Sequence, residues 1–347
     1  HRDSPANEQC FPPGLRMKLM NRINHPDSPS PHRRKIGLAL SSGMARGWAH
    51  IGVIRALQRR GFHFDIVAGC SVGALVGGML LAGRLDALES WALSLNKMKI
   101  VGFLDLKLRR TGGLIGGERL VEELKRHLGA VRIEDLPVPY AAVATDLVTG
   151  HEVWLQQGGL AEAMRASFAL PGVFPPVRHD GRWLLDGALI NPLPVSICRA
   201  LGADMVIAVN LNADIIGKVR KPGAEIPAAA GFDLLHLIES SQELEGKRGL
   251  VDSLTRRIFR RDYDGPSVFG VMTAALNIMQ DRITRSRLAG DPPDVHIAPR
   301  LGNIGLLEFD RAEELIREGE NAVERKHHAH DDALGGVRQS AQAGRNA

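Results

Sequence analysis

Apolar positions along the chain fall into two kinds of segment that alternate. Largely apolar runs of about five or six residues, at 36–40, 64–68 (interrupted by Asp65), 140–145 and 205–210, are bounded by glycine, charge or small side chains. Runs of that length predict strands buried on both faces of a sheet. Between the first two, residues 48–60 carry Ile51, Ile54, Ala56 and Leu57 at helical spacing, and Gly61 stops the helix. The second run leads directly into an apolar helix from Val72. Strand, loop, helix, strand, turn, helix is the order of parallel βαβ packing, so the fold class is α/β. Residues 152–155 predict a further strand and 160–168 a helix. Residues 214–290 lack strand signals and contain polar helical stretches at 234–248 and 268–288. The pattern turns extended over 291–301 and closes with a helix over 309–325. A Pro- and Arg-rich tail (1–34), one domain (35–326, with 214–290 its helical variable region) and a polar tail (327–347) follow from this division.

Composition narrows the class. The 347 residues are 44% hydrophobic and 24% charged, which excludes a disordered or collagen-like chain. The formal net charge is +5, but the arginines are spread out and aromatics are few, so nucleic acid is not the expected partner. Attraction to an anionic membrane surface fits the same charge. The basic run at 254–261 is a candidate for such peripheral contact. Cys10, Cys70 and Cys198 show neither a CxxC pair nor metal-ligand spacing, which argues against a disulfide framework or zinc site. The longest apolar stretch, 72–83, is too short to span a bilayer, and the first 35 residues lack the apolar core of a secretory signal. A cytoplasmic protein, peripheral at the inner membrane surface, is the expectation.

Three motifs carry chemistry. Gly69-Cys70-Ser71-Val72-Gly73 matches G-x-S-x-G between a buried strand and an apolar helix. That pattern puts a serine on a sharp strand-to-helix turn where flanking side chains would collide, with its hydroxyl at a helix N-terminus. Ser42-Gly43-Met44-Ala45-Arg46-Gly47, between the first strand and first helix, is a source of free backbone N–H groups for an oxyanion or a phosphate. Asp65 downstream raises a dinucleotide-binding alternative, opposed by the missing G-x-G-x-x-G spacing and by the serine turn that follows. Asp186-Gly187-Ala188 ends the apolar run after Arg182-Trp183 and is by itself only a turn signal.

Together these motifs resemble the patatin-like phospholipase family, in particular bacterial stand-alone members similar to the catalytic domain of neuropathy target esterase. Ala45-Arg46-Gly47-Trp48-Ala49-His50, Ala144-Thr145-Asp146-Leu147 and Ala166-Ser167 through Pro171-Gly172 add to the likeness. The resemblance implies a three-layer α/β/α fold with a mostly parallel central sheet. It also implies a Ser–Asp dyad that hydrolyses acyl esters of (lyso)phospholipids or related lipids, with no cofactor and no metal. By carry-over, Ser71 is the nucleophile and Asp186 the base, with the oxyanion hole around Gly43, Met44 and Ala45. Arg46 braces the loop or meets a head group, and Gly47, Gly69, Gly73 and Gly187 are the motif glycines. The family loop reads G-G-G-x-R/K-G, whereas Ser42 and Met44 stand here at the first and third glycines. A positive φ at Met44 is therefore expected to cost about 1–3 kcal/mol. The departure keeps open an alternative: a catalytically weak or inactive lipid-binding or regulatory protein. A histidine triad through His236 or His296 is the other alternative, with His50 expected to be a helix-packing residue.

Overall fold

The structure, a computed structural model, describes residues 33–103, 118–214 and 268–329. Residues 1–32 and 330–347 of the two tails, the predicted helix at 234–248, the basic run at 254–261, and His236 lie outside the described residues. The described residues form an eight-stranded mixed sheet. Strands β1 (Ile36–Leu40), β2 (Ile66–Cys70), β3 (Tyr140–Asp146), β7 (Met205–Val209) and β8 (Val295–Ile297) run parallel in the order β3-β2-β1-β7-β8. Strands β4 (Glu152–Leu155), β5 (Val177–His179) and β6 (Arg182–Asp186) are the antiparallel part, β4 and β6 both pairing with β3.

The central strands are buried on both faces, and alternate side chains enter two separate cores. Leu38, Leu40, Val67, Ala142, Ala144, Ile207 and Val209 face the larger core. It is covered by α1 (Trp48–Arg59), α2 (Val72–Leu81), α3 (Leu85–Ser94), α5 (Glu118–Leu128) and α6 (Leu160–Ser167), with α4 (Lys97–Phe103) beside them. Ala39, Ala68, Ala141 and Ala208 face the other side, where small side chains let the short helix α7 (Val195–Ala200) lie close to the sheet. A long helix, α8 (Val268–Gly290), crosses that end of the molecule, and α9 (Ala312–Ala329) packs along α1.

The predicted elements at 36–40 and 152–155 have the observed limits. β2 begins two residues later than its hydrophobic run because Asp65 is a cap: its carboxylate accepts the Ile36 N–H at 2.9 Å and pairs with Arg33. That places Asp65 at the strand's N-terminal end, away from the glycine loop, and removes the ribose contact that the dinucleotide alternative needs. The closing helix starts at Ala312, after a 3-10 turn at Phe309–Arg311. Helices α3, α4, α5 and α7, and the short strand β5, are not among the predicted elements.

Candidate active site

The parallel register sets the site's location. Leu40 lies opposite Gly69, so the loop after β1 and the turn after β2 emerge side by side at the carboxyl ends of the strands. Open α/β sheets bind ligands at that edge. The turn after β2 is Ser71, at φ 56° and ψ −123°, a strained conformation for a non-glycine residue. A Cβ on Gly69 would stand 2.5 Å from Ala74 Cα, and one on Gly73 would stand 2.3 Å from the Leu40 carbonyl oxygen. Only glycine at both positions lets the turn close. The Ser71 N–H donates to Ser167 Oγ at 2.8 Å, so the turn is held from α6 as well.

Asp186 arrives by a different strand. Val143 pairs with Cys70 on one edge and Trp154 on the other, while Ala144 pairs with Asp186 and with Val153. Since β4 occupies one edge throughout, β2 and β6 must share the opposite edge of β3. They meet there end to end, their last residues opposite consecutive residues of β3. The result is a direct hydrogen bond, Ser71 Oγ to Asp186 Oδ2, at 2.7 Å. Asp186 Oδ1 accepts the Ala188 N–H at 2.8 Å, and the Asp186 N–H donates to the Ala169 carbonyl at 3.0 Å. Gly187 lies against the backbone of β3, where a Cβ would meet the Val143 oxygen at 2.3 Å. Burial raises the Asp186 pKa to about 7, against the lowering effect of its bonds from Ala188 and Ser71. A carboxylate near pKa 7 is a far better proton acceptor than one at 3.8, and it is still ionised in good part at neutral pH.

In the glycine loop, residues Met44–Gly47 form a 3-10 turn. Met44 has φ 50°, the strained conformation expected of it. Among the three residues of the expected oxyanion hole, the Ala45 N–H is already committed to the Leu306 carbonyl at 3.0 Å. The N–H groups of Gly43 and Met44 find no acceptor among the described residues, nor does that of Val72, the residue after the serine. Met44 and Val72 both line the cleft beside Ser71. Arg46 is fully buried and outside the cleft lining; its Nε donates to the Ile304 carbonyl at 2.9 Å, and burial lowers its pKa to about 10. Gly47 packs against Val72.

The cleft itself encloses about 510 Å³, mouth included, within the range of small-ligand sites. Among the described residues its walls are Trp48, Trp91, Phe309, Phe168, Phe174, Leu75, Leu170, Val72 and Met44, and its polar lining residues are Ser71 and Asp186. Trp48 meets Trp91 edge-to-face at 5.8 Å, and Phe168 meets Phe174 at 5.5 Å. The sequence pattern gave no sign that Trp48, Trp91, Leu75 and Phe309, which come from four separate elements, share one cleft.

Neither described histidine candidate reaches the serine. His296 lies on β8, three strands from β2, roughly 14 Å at the usual strand spacing. His50 is buried in α1, its Nε2 2.9 Å from the Ser41 carbonyl, and burial lowers its pKa to about 4. It is therefore a neutral ring whose Nε2–H donates to the backbone. Cys70, beside the serine, is a buried thiol whose pKa burial drives well above the usual value, so it is no rival nucleophile. Among the described residues, no cluster of metal-ligating side chains occurs.

The family profile for patatin-like phospholipases matches residues 38–199, the span that holds the loop, the serine and the aspartate. Uncharacterized NTE family proteins of Mycobacterium bovis and Mycobacterium tuberculosis are 36% identical over 321 residues, covering 82% of this chain and 89% of theirs. The chain belongs to the NTE family of patatin-like proteins. Neuropathy target esterase of Drosophila melanogaster is 34% identical over 51% of this chain, but only 13% of its own length is matched. Lysophospholipase NTE1 of Pyricularia oryzae is 28% identical over 82% of this chain and 18% of its own length. In this NTE family member the G-x-S-x-G serine and the D-G-A aspartate are thus hydrogen-bonded to each other at the foot of an apolar cleft.

Proposed function

We propose that the protein is a serine hydrolase of lipid acyl esters, working through a Ser71–Asp186 dyad and an acyl-enzyme intermediate. The observation that carries this reading is an aromatic cleft whose polar lining, among the described residues, is Ser71 and Asp186, bonded to each other at 2.7 Å. Such a cleft favours an acyl chain, whose burial gains about 0.8 kcal/mol per methylene, and rejects charged groups. Asp186 Oδ2 takes the Ser71 proton as Oγ attacks the ester carbonyl. Negative charge that develops on the carbonyl oxygen meets the free N–H groups of Gly43 and Met44 and the N-terminal end of α2. Asp186 then returns the proton to the departing alcohol, leaving the acyl group on Ser71. A water attacks the acyl-enzyme, losing its proton to Asp186, which returns it to Ser71 Oγ as the carboxylic acid leaves. (Lyso)phospholipids are the substrate class, in keeping with the name of the fungal relative, lysophospholipase NTE1.

The second reading, a lipid-binding protein without turnover, is favoured by one observation: Met44 at φ 50° holds the oxyanion loop under strain. A fluorophosphonate probe separates the two. Labelling of folded protein that disappears in Ser71→Ala, together with release of fatty acid from lysophospholipid vesicles, supports the hydrolase. No labelling of folded wild-type protein overturns it.

A further inference from the structure

Helix α8 is built inside out. Asn277, Gln280, Asp281 and Thr284, at successive i, i+3, i+4 and i+7 positions, form its buried stripe, while Val271, Ile278 and Met279 are about half exposed. A helix on a globular surface ordinarily buries its apolar stripe. Leu276 and Leu288 pack against the two cores, but the fully buried positions of α8 are polar, and their contacts must have definite targets. Arg287 reaches the Ile190 carbonyl and Glu152. Gln280 reaches the glycine loop: Ser42 Oγ donates to Gln280 Oε1 at 3.0 Å, fully buried, across 238 positions of sequence. Asn212 closes the group, its Nδ2 lying 3.4 Å from Gln280 Oε1 and 3.3 Å from the Ser42 carbonyl.

Ser42 immediately precedes Gly43 and Met44, whose N–H groups have no acceptor among the described residues. Every polar atom of Ser42 is engaged: its N–H by the Pro192 carbonyl at 2.9 Å, its carbonyl by Ser41 Oγ and Asn212, its hydroxyl by Gln280. A backbone strained at the next residue but one persists only where its surroundings over-determine it. We propose that Gln280 is a positioning residue for the reaction, acting through the Ser42 hydroxyl to hold Gly43 and Met44 where the oxyanion forms. The hydroxyl that replaces a glycine in this loop is thus the handle by which a distant helix holds it. This rests on the hydrolase reading above.

A double-mutant cycle on the whole chain tests it, with Gln280→Leu, Ser42→Ala and the pair, assayed on a soluble acyl ester at several pH values and melted in parallel. Each single variant is expected to lower kcat by about 10- to 100-fold with KM within about twofold, since misplacing an oxyanion donor weakens only the transition state. The double variant should fall no further than the worse single, because both remove the same link. Full kcat in folded Gln280→Leu or in Ser42→Ala overturns the proposal, as do multiplied losses in the double. Ser42→Ala removes one oxygen and leaves α8 seated through Arg287, so the test survives if Gln280→Leu does not fold. A merely structural Gln280 would lower Tm and leave kcat intact below the melt. Failure of the hydrolase reading would show separately, as wild-type protein that neither labels nor turns over.

Discussion

Replacing Asp186 by Asn should cripple the reaction and stabilise the fold, and the second effect should depend on pH. Burial raises the Asp186 pKa from 3.8 to about 7. A group whose folded pKa is raised contributes its full stability below the unfolded value and loses it as pH rises through the folded value. The carboxyl is neutral in the fold at pH 4 and ionised at pH 8. Three units at about 1.36 kcal/mol each make the ionised form a liability of at most about 4 kcal/mol at pH 8. Asn keeps the shape and the acceptor for the Ala188 N–H, but carries no charge to bury. Asp186→Asn should therefore raise Tm by about 6 °C at pH 8 for a chain of this size, and by less than half of that at pH 5. Differential scanning calorimetry of both proteins at the two pH values checks this. On the same preparations, kcat should fall by at least about 100-fold, the usual worth of a positioned general base. Wild-type kcat/KM should drop about tenfold per pH unit below 7, as the base is protonated. A Tm gain equal at pH 5 and pH 8, or a wild-type rate flat down to pH 5, would refute the assignment of a buried, ionisable base.

Two further substitutions probe the supports. Ser167→Ala leaves the buried Ser71 N–H without its acceptor, so urea unfolding should show a loss of about 1–3 kcal/mol, accompanied by a reduced kcat. His50 has the opposite linkage to Asp186: its pKa is depressed to about 4, so its contribution is full above pH 6.5 and is lost as pH falls towards 4. His50→Gln keeps a donor for the Ser41 carbonyl and should remove about 3 kcal/mol of that acid sensitivity, read as the difference in unfolding free energy between pH 7.5 and 4.5.

What the sequence made legible was local. Ser71 is marked by glycines that its own turn requires, and β1 by a run whose ends are glycine-rich or charged. Asp186 was legible only through family likeness, because its meeting with Ser71 depends on two strands sharing an edge of a third, a fact no window of sequence contains. Trp91 was hidden for a related reason: α3 mixes polar and apolar residues too evenly to announce a helix. The Ala45 N–H looked available because nothing near it in sequence hints at the Leu306 carbonyl. The strain at Met44 could be foreseen, since a side chain stands where the loop geometry favours glycine. The link from Ser42 to Gln280 could not, because α8 reverses the burial pattern by which a helix's inner face is usually recognised.

The abutment of β2 and β6 along β3 has a mechanical meaning. Two catalytic groups on separate loops would drift apart whenever either loop breathed. Here both are cantilevered a residue or less beyond ladders anchored on the same strand, so bending or twisting of the sheet carries them as one part. The distance between the Ser71 hydroxyl and the Asp186 carboxylate should then be about as stiff as the β3 backbone itself. Heating ought to slow the enzyme only where the sheet comes undone, rather than at the earlier temperatures where surface loops loosen.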